Sequence, residues 1–363
     1  MKIYPLASLK NDWYPKQSFD TFNRYSRIEF VNSAVEADVI WIYTYYLSPS
    51  SILRLDSNIF YNILHRIPFL KNVNNKFAIS SKYLFRQRSF KDKLVISTIH
   101  HLDPDKSYEW YKHIKVLDKI SDIVQFFSNP NIDANKQFLS SPVIKMPYWI
   151  DNQTFFPLEK EDKQKIKESL DLPKDKKIIG SFQRDTESDG KSPKLSKGPD
   201  VFCDIIEKLD KNKYFVLLSG PRREYIEKRL SSSNIEFRSL GQIEPKEMNN
   251  LYNILDNYLV TSRIEGGPQA ILECMATKTP IFSSPVGIYD ILDSSTIKYS
   301  VDDFVDSLNE TYPDVIEKNF NTSRNFVCEE VIDKWDLFFD EALKLHKEKK
   351  NLRNLKSKFE IYE

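Results

Sequence analysis

The stretch Arg263-Ile-Glu-Gly-Gly-Pro-Gln-Ala-Ile-Leu-Glu-Cys-Met-Ala276 places two carboxylates on either side of a glycine turn. The apolar run before it, Tyr258-Leu-Val-Thr-Ser262, predicts a buried strand, and the run Gln269–Ala276 after it predicts a helix. Pro268 suits the first helical turn because it has no N–H to leave unpaired. Glycines admit a ligand close to the backbone, and a helix start offers free N–H groups. The stretch therefore predicts a phosphate- or sugar-binding corner.

Glu273 is the unusual residue of this helix, whose other members include Ile271, Leu272, Cys274, Met275 and Ala276. A carboxylate in such apolar surroundings is costly unless it is paired or meets a ligand. One alternative is an exposed position on the helix. Another is an ion pair with a nearby arginine such as Arg263. The glycine turn upstream favours a ligand-binding carboxylate.

Length and composition restrict the class of protein. A chain of 363 residues exceeds the size at which single cores stop growing, so two domains are expected. The net charge of +1 gives no argument for nucleic-acid binding, and we predict none. The three cysteines are far apart and form no CxxC pair, which fits a reducing cytosol. We expect no signal peptide from the first residues, Met-Lys-Ile-Tyr-Pro, and no apolar run approaches ~20 residues. We expect a cytoplasmic protein, at most peripheral on the inner face of a membrane.

Strands and helices alternate along the chain, which is typical of parallel α/β sheets. We predict an N-terminal Rossmann-like domain over residues 1–150 and a second one over 151–325. An amphipathic helix from Val327 to about Leu345 falls in a last segment, 326–363, expected to pack back on the first domain. The Lys-rich end beyond it predicts a solvated helix or tail. Two such domains would face a central cleft, with ligands at the carboxyl ends of strands.

A second corner joins Gly180-Ser-Phe-Gln-Arg-Asp185 to Leu195-Ser-Lys-Gly-Pro-Asp200. It places Arg184 and Lys197 at the carboxyl edge of the sheet, beside a helix N-terminus at Gly198. A diphosphate needs a forked guanidinium, an ammonium and backbone N–H donors. The alternative is that both cations are ordinary loop charges. The polar insert 185–196 predicts a mobile loop, and ordering by a ligand is a hypothesis.

These motifs together resemble retaining glycosyltransferases of family 4, which have the GT-B fold of two Rossmann-like domains. Met146-Pro-Tyr-Trp-Ile-Asp151 with Phe155 is similar to the family's linker segment. Arg184 and Lys197-Gly198 resemble its phosphate site, here with a long insert. Glu265-Gly-Gly-Pro268 with Glu273 matches its Glu-x7-Glu motif.

The resemblance implies roles for individual residues. Arg184 and Lys197 would bind the donor diphosphate and steady the leaving group, and Glu273 would bind the ribose hydroxyls. Glu265, with the backbone of Gly266 and Gly267, would hold the transferred sugar. The remaining donor-binding candidates are Pro268, Gly198 and Arg263. Cations can stabilise a leaving group without a metal, so we expect no metal and no cofactor beyond the nucleotide-sugar donor.

The first domain matches less well. Ser97-Thr-Ile-His-His101 resembles the family's strand-terminal histidine, which lines the acceptor and donor-sugar site, with His100 the better candidate and His101 the alternative. The alternative for either histidine is a structural or an exposed position without a role in binding. Their adjacency is not a metal-ligand spacing. The family's early glycine-rich loop is missing, and Leu6-Ala-Ser-Leu-Lys-Asn-Asp12 stands in its place.

The expected reaction transfers a sugar to an acceptor hydroxyl with retention of configuration. A basic and aromatic segment, 70–91, suggests contact with anionic lipid and a lipid-linked acceptor, for lipopolysaccharide, capsule or another surface glycan; a solvated basic face is the alternative. Two other classes stay open. One is another GT-B enzyme, such as a sugar phosphorylase or a nucleotide-sugar epimerase. The other is a non-catalytic nucleotide-sugar-binding partner.

Overall fold

The computed structural model describes residues 1–6, 13–43, 92–100, 114–115, 117–310 and 312–362. The chain divides into two compact units. The first combines Met1–Met146 with Ile332–Glu363, and the second is Pro147–Val331. Each unit is built around one sheet of mainly parallel strands. The α/β class predicted from the alternation of strands and helices is confirmed.

The described strands of the first unit form one sheet. They are β1 Lys2–Leu6, β2 Glu29–Phe30, β3 Val39–Ile42, β4 Leu94–Thr98, β5 Ile123–Phe126, β6 Val143–Lys145 and β12 Ile361–Tyr362. Their order in the sheet is β12-β6-β5-β4-β3-β1-β2. All pairs are parallel except the edge pair, β12 with β6. The central strands are buried on both faces, which explains their uninterrupted apolar sequences.

The helices of this unit whose bounds are described include α1 Trp13–Tyr25, α2 Asn129–Asn135 and, from Ile332 onward, α10 Cys328–Lys347. Helix α10 is the amphipathic C-terminal helix that the sequence predicts. Its Trp335 ring lies 5.3 Å from that of Trp41 in β3, and both are fully buried. After it the chain forms a short, mostly exposed 3-10 helix, Leu352–Ser357, within the segment predicted as a solvated helix or tail. The edge strand β12 that follows was not predicted.

The sheet of the second unit is wholly parallel, with the order β11-β10-β7-β8-β9. Its strands are β7 Lys177–Ser181, β8 Tyr214–Leu218, β9 Phe237–Ser239, β10 Asn257–Val260 and β11 Ile281–Ser283. Its helices are α3 Lys160–Ser169, α4 Pro199–Lys208, α5 Glu224–Ser232, α6 Pro245–Asn253, α7 Gln269–Ala276, α8 Val301–Leu308 and α9 Pro313–Ser323. No helix in the described ranges has the length and apolar character needed to cross a membrane.

The order of these five strands reverses at β7. From β7 the chain proceeds outward to β8 and β9, and then returns to the other side of β7 for β10 and β11. Ligands of open parallel sheets bind outside the carboxyl ends of the strands at such a reversal. The loops that leave β7 and β10 begin at Phe182 and Thr261, so both predicted corners lie at this point.

Candidate functional site

The turn after β10 is closely packed and depends on glycine. A Cβ built on Gly267 would lie 2.1 Å from the ring of Tyr148. Gly287 has φ +59°, and its Cβ would lie 2.7 Å from Pro268. Any larger residue at either glycine must therefore displace its neighbours. Glu265 and Gly266, at the start of this turn, are buried.

Helix α7 carries Glu273 into the interior, with 9% of the residue exposed. The hydroxyl of Tyr252 donates a hydrogen bond of 2.6 Å to Oε2 of Glu273. Burial raises the pKa of the Glu273 carboxyl to about 7, and the bond from Tyr252 opposes that rise. Burial also holds the pKa of Tyr252 well above its ordinary value, so the phenol stays a donor. The alternative of an exposed Glu273 is therefore wrong.

Tyr252 is a site residue that sequence reasoning missed. It lies at helical spacing from Met248, Leu251 and Leu255, a pattern that is typical of a core position. In the structure it is almost fully buried, and its ring lies 5.2 Å from Phe182, 5.4 Å from Tyr258 and 6.2 Å from Phe155. Phe155 belongs to the linker segment named in the resemblance. Tyr252 thus packs against Phe155 of the linker and donates a hydrogen bond to Glu273.

The corner after β7 reaches Lys197 through a 3-10 turn, Leu195–Lys197. The next residue, Gly198, has φ +61° and precedes α4. Its Cβ would lie 1.9 Å from the carbonyl oxygen of Thr261, and the Thr261 hydroxyl donates to the Gly198 carbonyl at 2.9 Å. Only glycine permits this approach between the two corners.

The cation of the corner after β7 contacts the carboxylate of the corner after β10. The Nζ of Lys197 lies 2.5 Å from Oε1 of Glu265, and their side chains are 21% and 8% exposed. The hydroxyl of Ser262 donates to the same oxygen at 2.9 Å. The amide of Gln183 donates to the Lys197 carbonyl at 3.0 Å. Lys197 of one corner and Glu265 of the other are therefore direct partners.

Arg263 fixes the two corners to one another. Its guanidinium forms a bidentate ion pair with Asp200, with distances of 2.6 and 2.7 Å, and donates to the Leu195 carbonyl at 2.9 Å. The backbone N–H groups of Arg263 and Ile264 donate to the Ser196 carbonyl. The alternative ion pair of Arg263 with Glu273 is therefore wrong. The role of Arg263 at a donor stays a prediction.

Arg184 is exposed at the carboxyl edge of β7 and makes no ion pair within the described part of the chain. Directly after it the chain turns inward. Asp185 is fully buried, and its Oδ2 lies 2.9 Å from Nε of Arg223, without the alignment of a hydrogen bond. Burial raises the pKa of Asp185 to about 6, and Arg223 opposes that rise.

The insert 185–196 has a defined conformation. Its base is a small hairpin, with the N–H of Lys194 donating to the Asp185 carbonyl at 2.7 Å. The N–H groups of Asp185 and Thr186 both donate to the Arg222 carbonyl. Asp189 closes the exposed tip by accepting from the N–H groups of Lys191 and Ser192. These bonds hold the base of the insert, while its mobility and its ordering by a ligand stay predictions.

His100 belongs to the first unit. It is half-buried after β4, its Nε2 lies 2.9 Å from the carbonyl oxygen of Tyr43, and its ring packs edge-on against the Tyr43 ring. Since a carbonyl only accepts, Nε2 carries the proton of this bond. His101, most of the 6–12 loop and the segment 70–91 lie outside the described residues.

Comparison with known proteins gives a family match in the second unit. Residues 162–327 match the model of the family described as glycosyl transferases group 1. The match lies within the second unit. The matched residues contain both corners, with Arg184, Lys197, Glu265 and Glu273. No curated protein shows significant sequence similarity to the chain.

Solved structures show the same fold. HepE from Anabaena in complex with UDP-glucose matches with a TM-score of 0.68 and 12% identity, covering 95% of this chain and 99% of that chain. Sucrose-phosphate synthase from Thermosynechococcus elongatus matches with 0.68 and 13%, covering 94% and 98%. A glycosyltransferase from Rickettsia africae matches with 0.61 and 16%, covering 96% and 98%. The predicted GT-B fold is confirmed.

Proposed function

We propose that the chain transfers a sugar from a nucleoside-diphosphate sugar to an acceptor hydroxyl. The observation that carries this proposal is the pairing of Lys197 with Glu265 at the strand-order reversal of a glycosyl transferases group 1 domain. Arg184 follows one of the two strands concerned, and α7 with Glu273 follows the other. One corner has the cations that a diphosphate needs, and the other has carboxylates suited to vicinal hydroxyls.

The roles that we propose follow from these chemistries. Arg184 and Lys197 bind the diphosphate, Glu273 accepts from the ribose hydroxyls, and Glu265 accepts from hydroxyls of the transferred sugar. Gly266 and Gly267 supply backbone donors beside it. HepE was solved with UDP and with UDP-glucose, so UDP-glucose is the first donor to test and UDP the first product.

We further propose that the anomeric configuration is retained and that no metal is required. In a front-face reaction the leaving phosphate takes the acceptor proton, and the two cations spread the charge that develops on it. His100 would line the acceptor side. The acceptor would be a sugar or a lipid-linked glycan of surface-glycan biosynthesis. An inverted product anomer would refute retention, and activity lost to a chelator and restored by a divalent ion would refute metal independence.

A thermal-shift panel of UDP-, GDP-, ADP-, CMP- and dTDP-sugars tests the donor. A ligand at a hundred times its Kd stabilises the folded chain by about 2.7 kcal/mol, so the true donor should give a clear rise in Tm. Glu273→Ala should remove most of that rise. Glu247→Ala, on the exposed face of α6, is the matched control and should keep it.

The donor found in this way also distinguishes a transferase from the other enzyme classes, through the conditions under which it is consumed. A phosphorylase would consume it only with inorganic phosphate, and an epimerase would convert it without an acceptor. A non-catalytic binder would be stabilised by the donor yet never hydrolyse it. If none of the sugars raises Tm, the transferase proposal fails.

A further inference from the structure

Lys197 has two competing anions in the proposed reaction. In the structure its ammonium lies 2.5 Å from Oε1 of Glu265. The proposed function requires the same ammonium to contact a phosphate of the donor. The backbone on both sides is held, because Gly198 contacts Thr261 and Arg263 spans both corners. Lys197 can therefore exchange Glu265 for a phosphate by moving its side chain, while its backbone stays in place.

Removing the cation from Glu265 has a cost, because that side chain is only 8% exposed. A carboxylate in a buried position loses much of its hydration and depends on its partners. Ser262 continues to donate to it, but a hydroxyl does not neutralise its charge. A ligand that brings its own hydroxyl donors to Glu265 lowers this cost.

We propose that Glu265 and the ligand phosphate compete for Lys197, so that the site binds an intact nucleotide sugar in preference to a nucleoside diphosphate. A nucleotide sugar takes Lys197 with its phosphate and gives sugar hydroxyls to Glu265. A nucleoside diphosphate takes Lys197 and gives Glu265 nothing. After transfer, Glu265 recovers Lys197 and favours release of the product. This inference rests on the proposed function for the roles of the two residues.

Pyrophosphate is the probe that tests the competition, because it needs neither a particular base nor a sugar. Its Kd would be measured by calorimetry on the full chain and on Glu265→Gln, which has nearly the same shape. We expect Glu265→Gln to bind pyrophosphate about tenfold more tightly, because a neutral amide no longer holds the ammonium. Lys197→Met should bind it more weakly, and the double variant should bind like Lys197→Met.

Glu273→Gln is the matched control. It removes a second buried carboxylate of the same motif, one that accepts from Tyr252, and pyrophosphate has no ribose to contact it. We expect no comparable tightening. If Glu265→Gln melts early, Glu265→Asp shortens the side chain away from Lys197 and should tighten binding in the same direction.

The inference is overturned if Glu265→Gln binds pyrophosphate no more tightly than the parent, or if the gain persists without Lys197. If sugar transfer is observed beside either result, the proposed function stands and the competition fails. If the tightening is observed but no nucleotide sugar is ever consumed, the competition stands and the transferase proposal fails.

Discussion

The hydroxyl of Tyr252 donates to a carboxylate of Glu273 whose pKa is raised to about 7 by burial. A glutamate in the unfolded chain titrates near 4.3, so the folded state holds a proton that the unfolded state has lost between about pH 4.3 and pH 7. Stability therefore falls as pH rises through this window, and above pH 7 the cost of a buried charge is fully present.

Glu273→Gln should consequently stabilise the protein at alkaline pH. The amide can accept from Tyr252 and carries no charge. We expect a gain on the order of 3 kcal/mol at pH 8 that shrinks towards zero at pH 4. Denaturant titrations at both pH values measure it. A gain that is equal at the two pH values would show that the proton on Glu273 is not responsible.

Tyr252→Phe should have the opposite dependence on pH. It removes the donor to an ionised carboxylate, and hydrogen bonds to charged groups contribute about 1.5–3 kcal/mol. We expect a loss of that size at pH 8 and a smaller one at pH 5, where Glu273 is protonated. Since Phe keeps the ring contacts with Phe182 and Tyr258, an equal loss at both pH values would indicate a packing defect instead.

Gly267→Ala should disturb the turn through Tyr148. The added methyl would lie 2.1 Å from the ring, so the ring or the turn must move. Overpacking of this kind costs about 1–3 kcal/mol. Combined with Tyr148→Ala, the glycine substitution should become nearly neutral relative to Tyr148→Ala alone. Additive losses in this double-mutant cycle would place the clash elsewhere.

Asp185→Ala should weaken the base of the insert. It leaves the Arg223 guanidinium buried without its carboxylate, and breaking a buried pair costs about 3–5 kcal/mol. Asp189→Ala, at the exposed tip of the same insert, should destabilise the protein much less, because its carboxylate stays hydrated and has no buried charged partner. Urea unfolding of the two variants compares them directly. Equal losses would mean that the tip, and not the buried pair, holds the insert.

Much of the fold could be predicted because the strands buried on both faces are short apolar runs. The helix Gln269–Ala276 was predicted with its observed ends, since Pro268 and the glycines before it mark its start. Strand β12 was not predicted, because Ile361-Tyr362 is too short to show a pattern and depends on pairing with β6. Its antiparallel direction is set by its pairing with β6 and not by its own sequence.

The sequence predicted which residue types form the candidate site but not which of their side chains contact one another. The sequence places Glu265 and Lys197 at separate corners, and only the strand order brings them together. Tyr252 lacked a signal because a tyrosine at helical spacing is typical of a core. Asp185 stood in a polar insert, where nothing in the sequence indicated a buried ion pair with Arg223.

The anchoring of the insert at both ends has a consequence for how this region can change. Asp185 and Thr186 are hydrogen-bonded to the Arg222 carbonyl at its start, and the Ser196 carbonyl is hydrogen-bonded to Arg263 at its end. These hydrogen bonds, and not the length of the chain between them, thus set the positions of Arg184 and Lys197. The tip around Asp189 is a natural place for a shorter loop, a longer one or a reporter peptide, with the neighbouring cations left where they are.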